Sequence, residues 1–487
     1  MAVAILPASL QAQVVPNVSH EQVLPVSAKK WSLQDCIDYA MKNNIQLKQQ
    51  ALNAESSKIA LNQSYYNALP SVNAAGNQSY NAGGRSVNPY DNTVVENTTF
   101  RTNSMNINAG MNIYNGMQNT NAIRRNKVNL EASLLDIQDR TNTTILNLVQ
   151  AYVNILSSRE QLNAAKLQLA TTTLQVDRSK VLVTAGALAE ANLLNLVAQA
   201  ATEEVNIITY ENNVELARLS LLQIMQKPAD EPFDISVPGV EPPSNYALEN
   251  TAREIYSFAE VHQPVIKAAN ARIQSAMLSK RIATGALAPT LSVSAGYYTS
   301  YSQLAKSVTY DKSQGLVKQF QPFLYDNGSG VESPIYTYGY PGTTTNISFG
   351  DQFDNNLRSN LTFNLSIPIF NGLSARSQIY NARITERNAE LNRDAAKNTL
   401  RQTIEQAYLA AKLSSKQYNA NVKQVGSLRE SFRANEQRFN VGSMNSVDYN
   451  QAKNNLNKAE TDLIRAKYDF VVKAKVLDFY QGKDLSF

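Results

Sequence analysis

The stretch NLTFNLSIPIFNG (residues 360–372) decides the fold. Its odd positions are apolar: Leu361, Phe363, Leu365, Ile367 and Ile369. Between them stand Asn360, Thr362, Asn364, Ser366 and Pro368. A period of two marks a strand with one oily and one wet face. After Gly372 the period changes. Leu400, Ile404, Tyr408, Ala411, Tyr418, Val425 and Phe432 recur at threes, fours and sevens, as along the seam of a coiled-coil helix. A helix over about 373–440 would be roughly 100 Å long, against a usual globular helix of about 11–12 residues.

The same order occurs earlier in the chain. Met105, Ile107, Ala109, Met111 and Ile113 alternate with polar or small residues over about 103–114. NIYNG (112–116) then opens a helical pattern over about 117–185. Ala40 and Ala259, Lys48 and Lys267, and Pro70 and Pro289 each lie 219 residues apart. Gly116 and Gly372, Tyr152 and Tyr408, and Gly186 and Gly442 each lie 256 apart. The change of offset falls inside the loop between paired strands. A fixed offset of this kind is the mark of duplication.

Each half therefore reads as helix, strand, loop, strand, long helix, glycine turn and helix. The first half spans 31–226: a helix from about 32 to 66, strands near 70–81 and 103–114, and a second tip helix over 189–226. The second spans 248–482: a helix over 251–286, strands near 289–301 and 358–370, and a last helix over 445–480. Residues 227–247, with five prolines, read as an inter-repeat linker. Residues 81–100 and 302–356 read as loops, the second rich in Tyr, Gly, Ser and Pro. MAVAILPASLQA (1–12) resembles the tail of a signal peptide, and 13–30 reads as a linker.

Composition narrows the function. Charged residues are 17%, below the ~25% of ordinary soluble domains. The formal charge is +5, with no basic cluster interleaved with aromatics, so nucleic acid is not an expected partner. There is no apolar run long enough for a transmembrane helix. The single Cys36 reads as a small helix residue, and two histidines, His20 and His262, offer neither a metal site nor a catalytic triad. No catalytic residue, metal ligand or cofactor site is expected.

Four strands cannot close a membrane barrel, because such barrels start at eight, and open sheet edges are not tolerated in lipid. The chain must therefore oligomerise; two copies would give eight strands and three would give twelve. The helices leave on the side opposite the hairpin loops. Small and polar seam residues such as Ala151, Ser158, Ala407, Ala411 and Ser415 suit close helix packing.

This order, together with FNVGSMNSVDYNQA (439–452) and the looser VTAGALAEANLLN (183–195), resembles the TolC-type outer membrane efflux proteins. The resemblance covers nearly all of 31–482. It implies a mixed α and β fold: a trimer sharing a twelve-strand barrel in the outer membrane, continued by an α-helical barrel in the periplasm. It implies a duct rather than an enzyme, the exit of a tripartite efflux pump for small toxic molecules. A periplasmic adaptor would dock at the tips around Gly186, Val441, Gly442 and Ser443, and an inner-membrane transporter would supply energy. The family's acidic aperture positions fall on Asp448 and on Gln451, where this sequence departs from the pattern; the first-repeat equivalents are Asn192 and Asn195. Arg438 lies close to this turn. Tyr80, Tyr114, Tyr297 and Tyr298 are expected at strand ends, as an aromatic belt against lipid. A type I protein secretion duct shares the architecture, and a non-conducting trimeric stalk is the reading from another class.

Overall fold

The computed structural model describes residues 30–87, 94–96, 99–239, 250–326 and 332–483. The expected signal-peptide tail and nearly all of the linker after it lie outside the described residues. In chain order the elements are β1 (Lys30–Trp31), α1 (Leu33–Asn43), α2 (Ile45–Tyr66), β2 (Ser71–Asn81), β3 (Arg85–Val87), β4 (Val94–Glu96), β5 (Phe100–Asn115), α3 (Gln118–Thr184) and α4 (Glu190–Met225). There follow β6 (Asp234–Ile235), α5 (Ala252–His262), α6 (Pro264–Gly285), β7 (Thr290–Ser302), β8 (Lys306–Tyr310), β9 (Val317–Asp326), β10 (Glu332–Gly339), β11 (Gly342–Asn346), α7 (Phe349–Asn355), β12 (Arg358–Ser366), α8 (Ser374–Asn440) and α9 (Ser446–Tyr480).

The duplication is legible in the backbone. α3 and α8 are each 67 residues long and start 256 residues apart. α2 and α6 are each 22 residues long and start 219 apart. The capping boxes of α1 (Ser32 with Asp35) and α5 (Thr251 with Glu254) obey the same 219 offset. Each box satisfies two orphan amides at a helix start, which fixes where the helix begins.

Four sequence expectations need correction. Residues 32–66 and 251–286 are not single helices. The chain is extended at Asn44 and at Gln263, with ψ of 120 and 130. The Asn44 side chain accepts from Gln46 N–H and Leu47 N–H, so a second cap restarts the helix. Pro264 does the same work in the second repeat, since it suits a first helical position. The loop at 302–356 holds β8 to β11 and α7, and 81–100 holds β3 and β4; β9 pairs with β10, β8 with β11 and β3 with β4, all antiparallel. The Pro-rich 227–247 is not a bare linker, since β6 pairs in parallel with β1. β12 stops at Ser366, two residues before Pro368, which has no N–H for a ladder.

Two compact units share the chain. One comprises Leu52–Asp136 and Pro264–Ala396 and is built on an antiparallel sheet in the order β12-β7-β5-β2. Directly paired residues face the same way, so the ladder sorts side chains into two faces. Leu361 stands opposite Ala295, Phe363 opposite Val293 and Leu365 opposite Leu291. On β7, Ala295 and Val293 meet Ala109 and Met111 of β5, and Val72 of β2 meets Ala109. The other face carries Asn360, Gly296, Asn108 and Asn73 in one row. The β5–β7 register shifts between Asn112 and Tyr114, which moves Ile113 out of the alternation and brings Tyr114 opposite Leu291. Leu361, Phe363 and Leu365 are more than 60% exposed.

The other unit comprises Met1–Ala51, Ile137–Gln263 and Lys397–Phe487. Its core joins Cys36, Ala40, Leu148, Tyr152, Leu221, Met225, Phe233, Ile235, Val471 and Val472. The Tyr152 hydroxyl donates to the Ser236 carbonyl at 2.6 Å, so the inter-repeat connection is fastened to α3. Burial, and next the Asp35 carboxylate, push the Cys36 thiol up to about 12, so it stays a protonated core side chain.

Candidate functional site

The helical tips carry the residues expected to dock a partner and to line an entrance. Both tips turn through a glycine in the left-handed region, Gly186 at φ 66 and Gly442 at φ 76. The following amides, Ala187 and Ser443, donate back to Leu182 and Arg438 at 2.9 Å, the long bond of a Schellman turn. The Ser443 hydroxyl adds a second bond to the same Arg438 carbonyl. Val441 stands 79% exposed at the apex, with Gly442 and Ser443 also exposed.

Past the turns the two tips differ. Asn445 caps α9: its Oδ1 accepts from Asp448 N–H at 2.8 Å and its Nδ2 donates to the Asp448 carboxylate at 2.9 Å. Ala189, the equivalent cap of α4, makes no side-chain bond. Asp448 and Gln451 are exposed, and Gln451 donates to Asn455. Asn192 and Asn195 are engaged instead. The buried Ser446 hydroxyl donates to Asn192 Oδ1 at 2.7 Å, and Asn195 Nδ2 donates to Ser446 Oγ at 3.1 Å. The asparagines thus fasten the first turn of α4 to the first turn of α9, and Arg178 donates to Asn440 beside them.

Below this clasp lies an arrangement that sequence reading did not single out. Lys453 of α9 and Glu203 of α4 are both buried, with Nζ and Oε1 3.2 Å apart. Lys453 also donates to Thr172 Oγ1, and Thr172 donates to Glu203 Oε2. Gln199 and Gln168 donate to Glu203 at 2.9 and 3.3 Å. Burial lowers the lysine's proton affinity, and the glutamate partly restores it. Above it Tyr449 packs its ring on Phe439 (centroids 4.4 Å) and Phe432 (5.5 Å). Its hydroxyl is buried with no hydrogen-bond partner, and burial pushes it up to about 12. One signal was available: Glu203 and Lys453 interrupt the apolar seams Leu193-Leu196-Ala200 and Tyr449-Leu456-Ala459 at helical spacing.

In the sheet, the four expected belt tyrosines separate. Tyr80 and Tyr114 lie near opposite strand ends, on the apolar face. Tyr297 and Tyr298 are not at an end but well inside β7, and as neighbours they point to opposite faces. Tyr298 stands in the polar row with Asn106 and Arg358, so a belt role does not suit it.

Comparison with known proteins agrees with this geometry. The family model for outer membrane efflux proteins matches residues 36–225 and 255–482. The chain is 24% identical over 450 residues to the outer membrane protein TolC of Escherichia coli (strain K12), across 91% of this chain and 80% of that protein. Its fold is similar to that of CusC, with a TM-score of 0.72 at 15% identity over 98% of this chain and 99% of that one. It is also similar to that of the outer membrane protein VceC of Vibrio cholerae, with a TM-score of 0.71 at 13% identity over 93% and 97%. The chain belongs to the outer membrane efflux protein family, and it is an outer membrane exit duct of the kind that serves efflux pumps.

Proposed function

We propose that this chain works as a homotrimer, exporting small molecules with a periplasmic adaptor and an inner-membrane transporter. The observation that carries this reading is the sheet: one apolar face, one polar face and two unpaired edges, β2 and β12. Apolar side chains of this size gain about 1.5–3 kcal/mol each on leaving water, and lipid is the medium that removes them. Unpaired edges cannot remain in lipid, so β12 must meet β2 of another copy. Tyr80 and Tyr114 anchor the sheet at its two interfaces, with Tyr297 on the lipid-facing side between them.

The duplication supplies the register of that contact. Within the chain, Asn108 of β5 stands opposite Gly296 of β7. The positions 256 after the first and 219 before the second are Asn364 and Asn77. In the trimer Asn364 of one copy should face Asn77 of the next. Cysteines at Asn77 and Asn364 should join into a covalent trimer under a short thiol cross-linker, while Ser71→Cys with Asn364→Cys should not. Equal cross-linking of both pairs, or of neither, would sink the register and the closed ring with it.

The tips at Gly186, Val441, Gly442 and Ser443 present the surface for the adaptor. Asp448 and Gln451 line the entrance, with Asn192 and Asn195 holding the two turns of each copy together. Three Asp448 carboxylates around a narrow mouth focus negative potential and bind multivalent cations. Asp448→Ala should relieve divalent-cation block, or raise conductance, in planar bilayers; a trace identical to wild type in both respects would end the gate assignment. The same conductance measurement separates a duct from a stalk, which would carry no current.

A further inference from the structure

We propose that the outer face of the sheet holds one acyl chain of the phosphorylated glucosamine lipid that forms the outer leaflet, with its headgroup at Arg101 and Asn103. This rests on the apolar face meeting lipid, as proposed above.

The observation begins with α7. This short helix precedes β12 and packs against the apolar side of β7, and it is fixed there. Thr299 Oγ1 donates to the Phe353 carbonyl at 2.6 Å. Ser302 N–H donates to Gln352 Oε1 at 2.9 Å, and Gln352 Nε2 returns a bond to the Ser302 carbonyl at 3.0 Å. Gln352 is only 2% exposed. Asn356 Nδ2 donates to the Ser300 carbonyl at 2.7 Å. A helix so fastened is a wall rather than a loose flap.

Between this wall and the strands lies a cavity of about 500 Å³, within the size range of ligand sites. Its floor includes Ala74, Gly76, Met105 and Ile107, and its wall is Phe353 and Leu357. The floor is low because β2 places Ala74 and Gly76 where larger side chains would fill it. A Cβ on Gly76 would have only the Met105 side chain at 3.9 Å, so the space is not demanded by packing. The floor is continuous with the apolar row of Leu361, Phe363 and Leu365 that lipid must cover, which argues for a lipid chain over a protein partner.

Position selects the leaflet. The long helices begin after β5 and β12, so the opposite, hairpin end of the strands faces outward. Thr299, on which α7 is pinned, lies three residues from the hairpin end of β7 and nine from its start. At about 3.3 Å per residue the cavity therefore sits in the outer half of the sheet.

Directly outward of it the chemistry turns polar. The Arg101 guanidinium lies over the Tyr301 ring at 5.4 Å, and the Tyr301 and Phe349 rings meet at a tilt with centroids 5.1 Å apart. Asn103 donates its Nδ2 to Gln78 at 3.0 Å, which leaves its Oδ1 buried without a partner. A buried acceptor of this kind calls for a donor. A cation for phosphate, an orphan acceptor for an amide or hydroxyl, and an apolar trough beneath them match an acylated, phosphorylated aminosugar.

The test is native mass spectrometry of the full-length oligomer, stripped of lipid and then exposed to hexa-acylated lipid A or to phosphatidylethanolamine. Wild type should retain lipid A through a detergent wash that removes phosphatidylethanolamine. Gly76→Phe, which fills the floor, and Arg101→Gln should each lower retention at least tenfold while single-channel conductance stays unchanged. Should Gly76→Phe fail to assemble, Leu357→Asp tests the wall from outside the sheet. Undiminished retention in the variants would overturn the groove. Equal retention of phosphatidylethanolamine would overturn the choice of lipid. Loss of conductance in wild type would instead indict the membrane reading beneath it.

Discussion

The two repeats share a backbone and differ in what they pack against it. Gly116 and Gly372 stand at equivalent strand-to-helix switches, at φ 63 and 62. A Cβ on Gly116 would lie 2.2 Å from the Gly285 carbonyl oxygen; one on Gly372 would meet nothing within 4 Å. The position equivalent to Gly285 is Tyr66, whose own Cβ rules out so close an approach. At this switch the seam joining the halves of one chain is a glycine-to-glycine backbone contact that the sequence at the equivalent pair, Gly372 and Tyr66, does not permit. The tips diverge in the same way. Thr172 and Glu203 of the first tip have Leu428 and Ala459 as second-repeat equivalents, 256 residues on, and these belong to an apolar cluster. Duplication copied the path of the chain, but the buried pair is not copied: Glu203 and Thr172 come from the first repeat and Lys453 from the second, and the equivalents of all three are apolar.

That contrast can be broken at three points. The largest effect is expected at the buried pair. Lys453→Ala leaves Glu203 charged and alone, which should cost about 3–5 kcal/mol in denaturant unfolding. Installing the apolar set of the other repeat, Thr172→Leu with Glu203→Ala and Lys453→Val, should recover most of that loss. A single variant as stable as wild type would show that the pair is not coupled to folding.

The next effect compares the switches. Gly116→Ala drives a Cβ into backbone and should cost roughly 3 kcal/mol or more. Gly372→Ala meets only the left-handed penalty of about 1–2 kcal/mol. Equal thermal shifts would mean that the second switch is as crowded in the assembled protein as the first.

The smallest concerns Tyr449, whose equivalent is the hydrogen-bond-free Leu193. Its folded proton affinity is raised to about 12 by burial, against roughly 10 in the unfolded chain. A raised value means that the contribution is complete below pH 10 and is lost as pH climbs through 12. Tyr449→Phe should flatten that stretch of the stability profile. The difference between variant and wild type cancels the opposing titration of Lys453, so a persistent slope difference of zero would refute the assignment.

Much of this was legible in sequence because it rests on period. Strands such as Leu361–Leu365, helices of 67 residues and the glycine turns announce themselves through spacing alone. Other features depend on partners far along the chain. Lys453 and Glu203 are 250 residues apart, and only the fold brings opposite seam charges together. Phe233 and Ile235 sit among prolines, yet β1 draws them into a core. The break at Asn44 is a single residue inside an otherwise continuous helical pattern, and what marks it is one Asn side chain capping the next helix. Tyr298 faces away from Tyr297 because adjacent strand residues oppose one another, and aromatic composition without register does not say which face is wet.

The unpaired edges also have a history before assembly. β5 and β7 join residues nearly two hundred positions apart, whereas each helical tip closes on its immediate neighbours. Contacts so distant in sequence form late. During that interval each chain presents strand edges beside an apolar face, the usual template for indiscriminate aggregation. For the trimer proposed above, ring closure is the event that pairs these edges and ends that exposure.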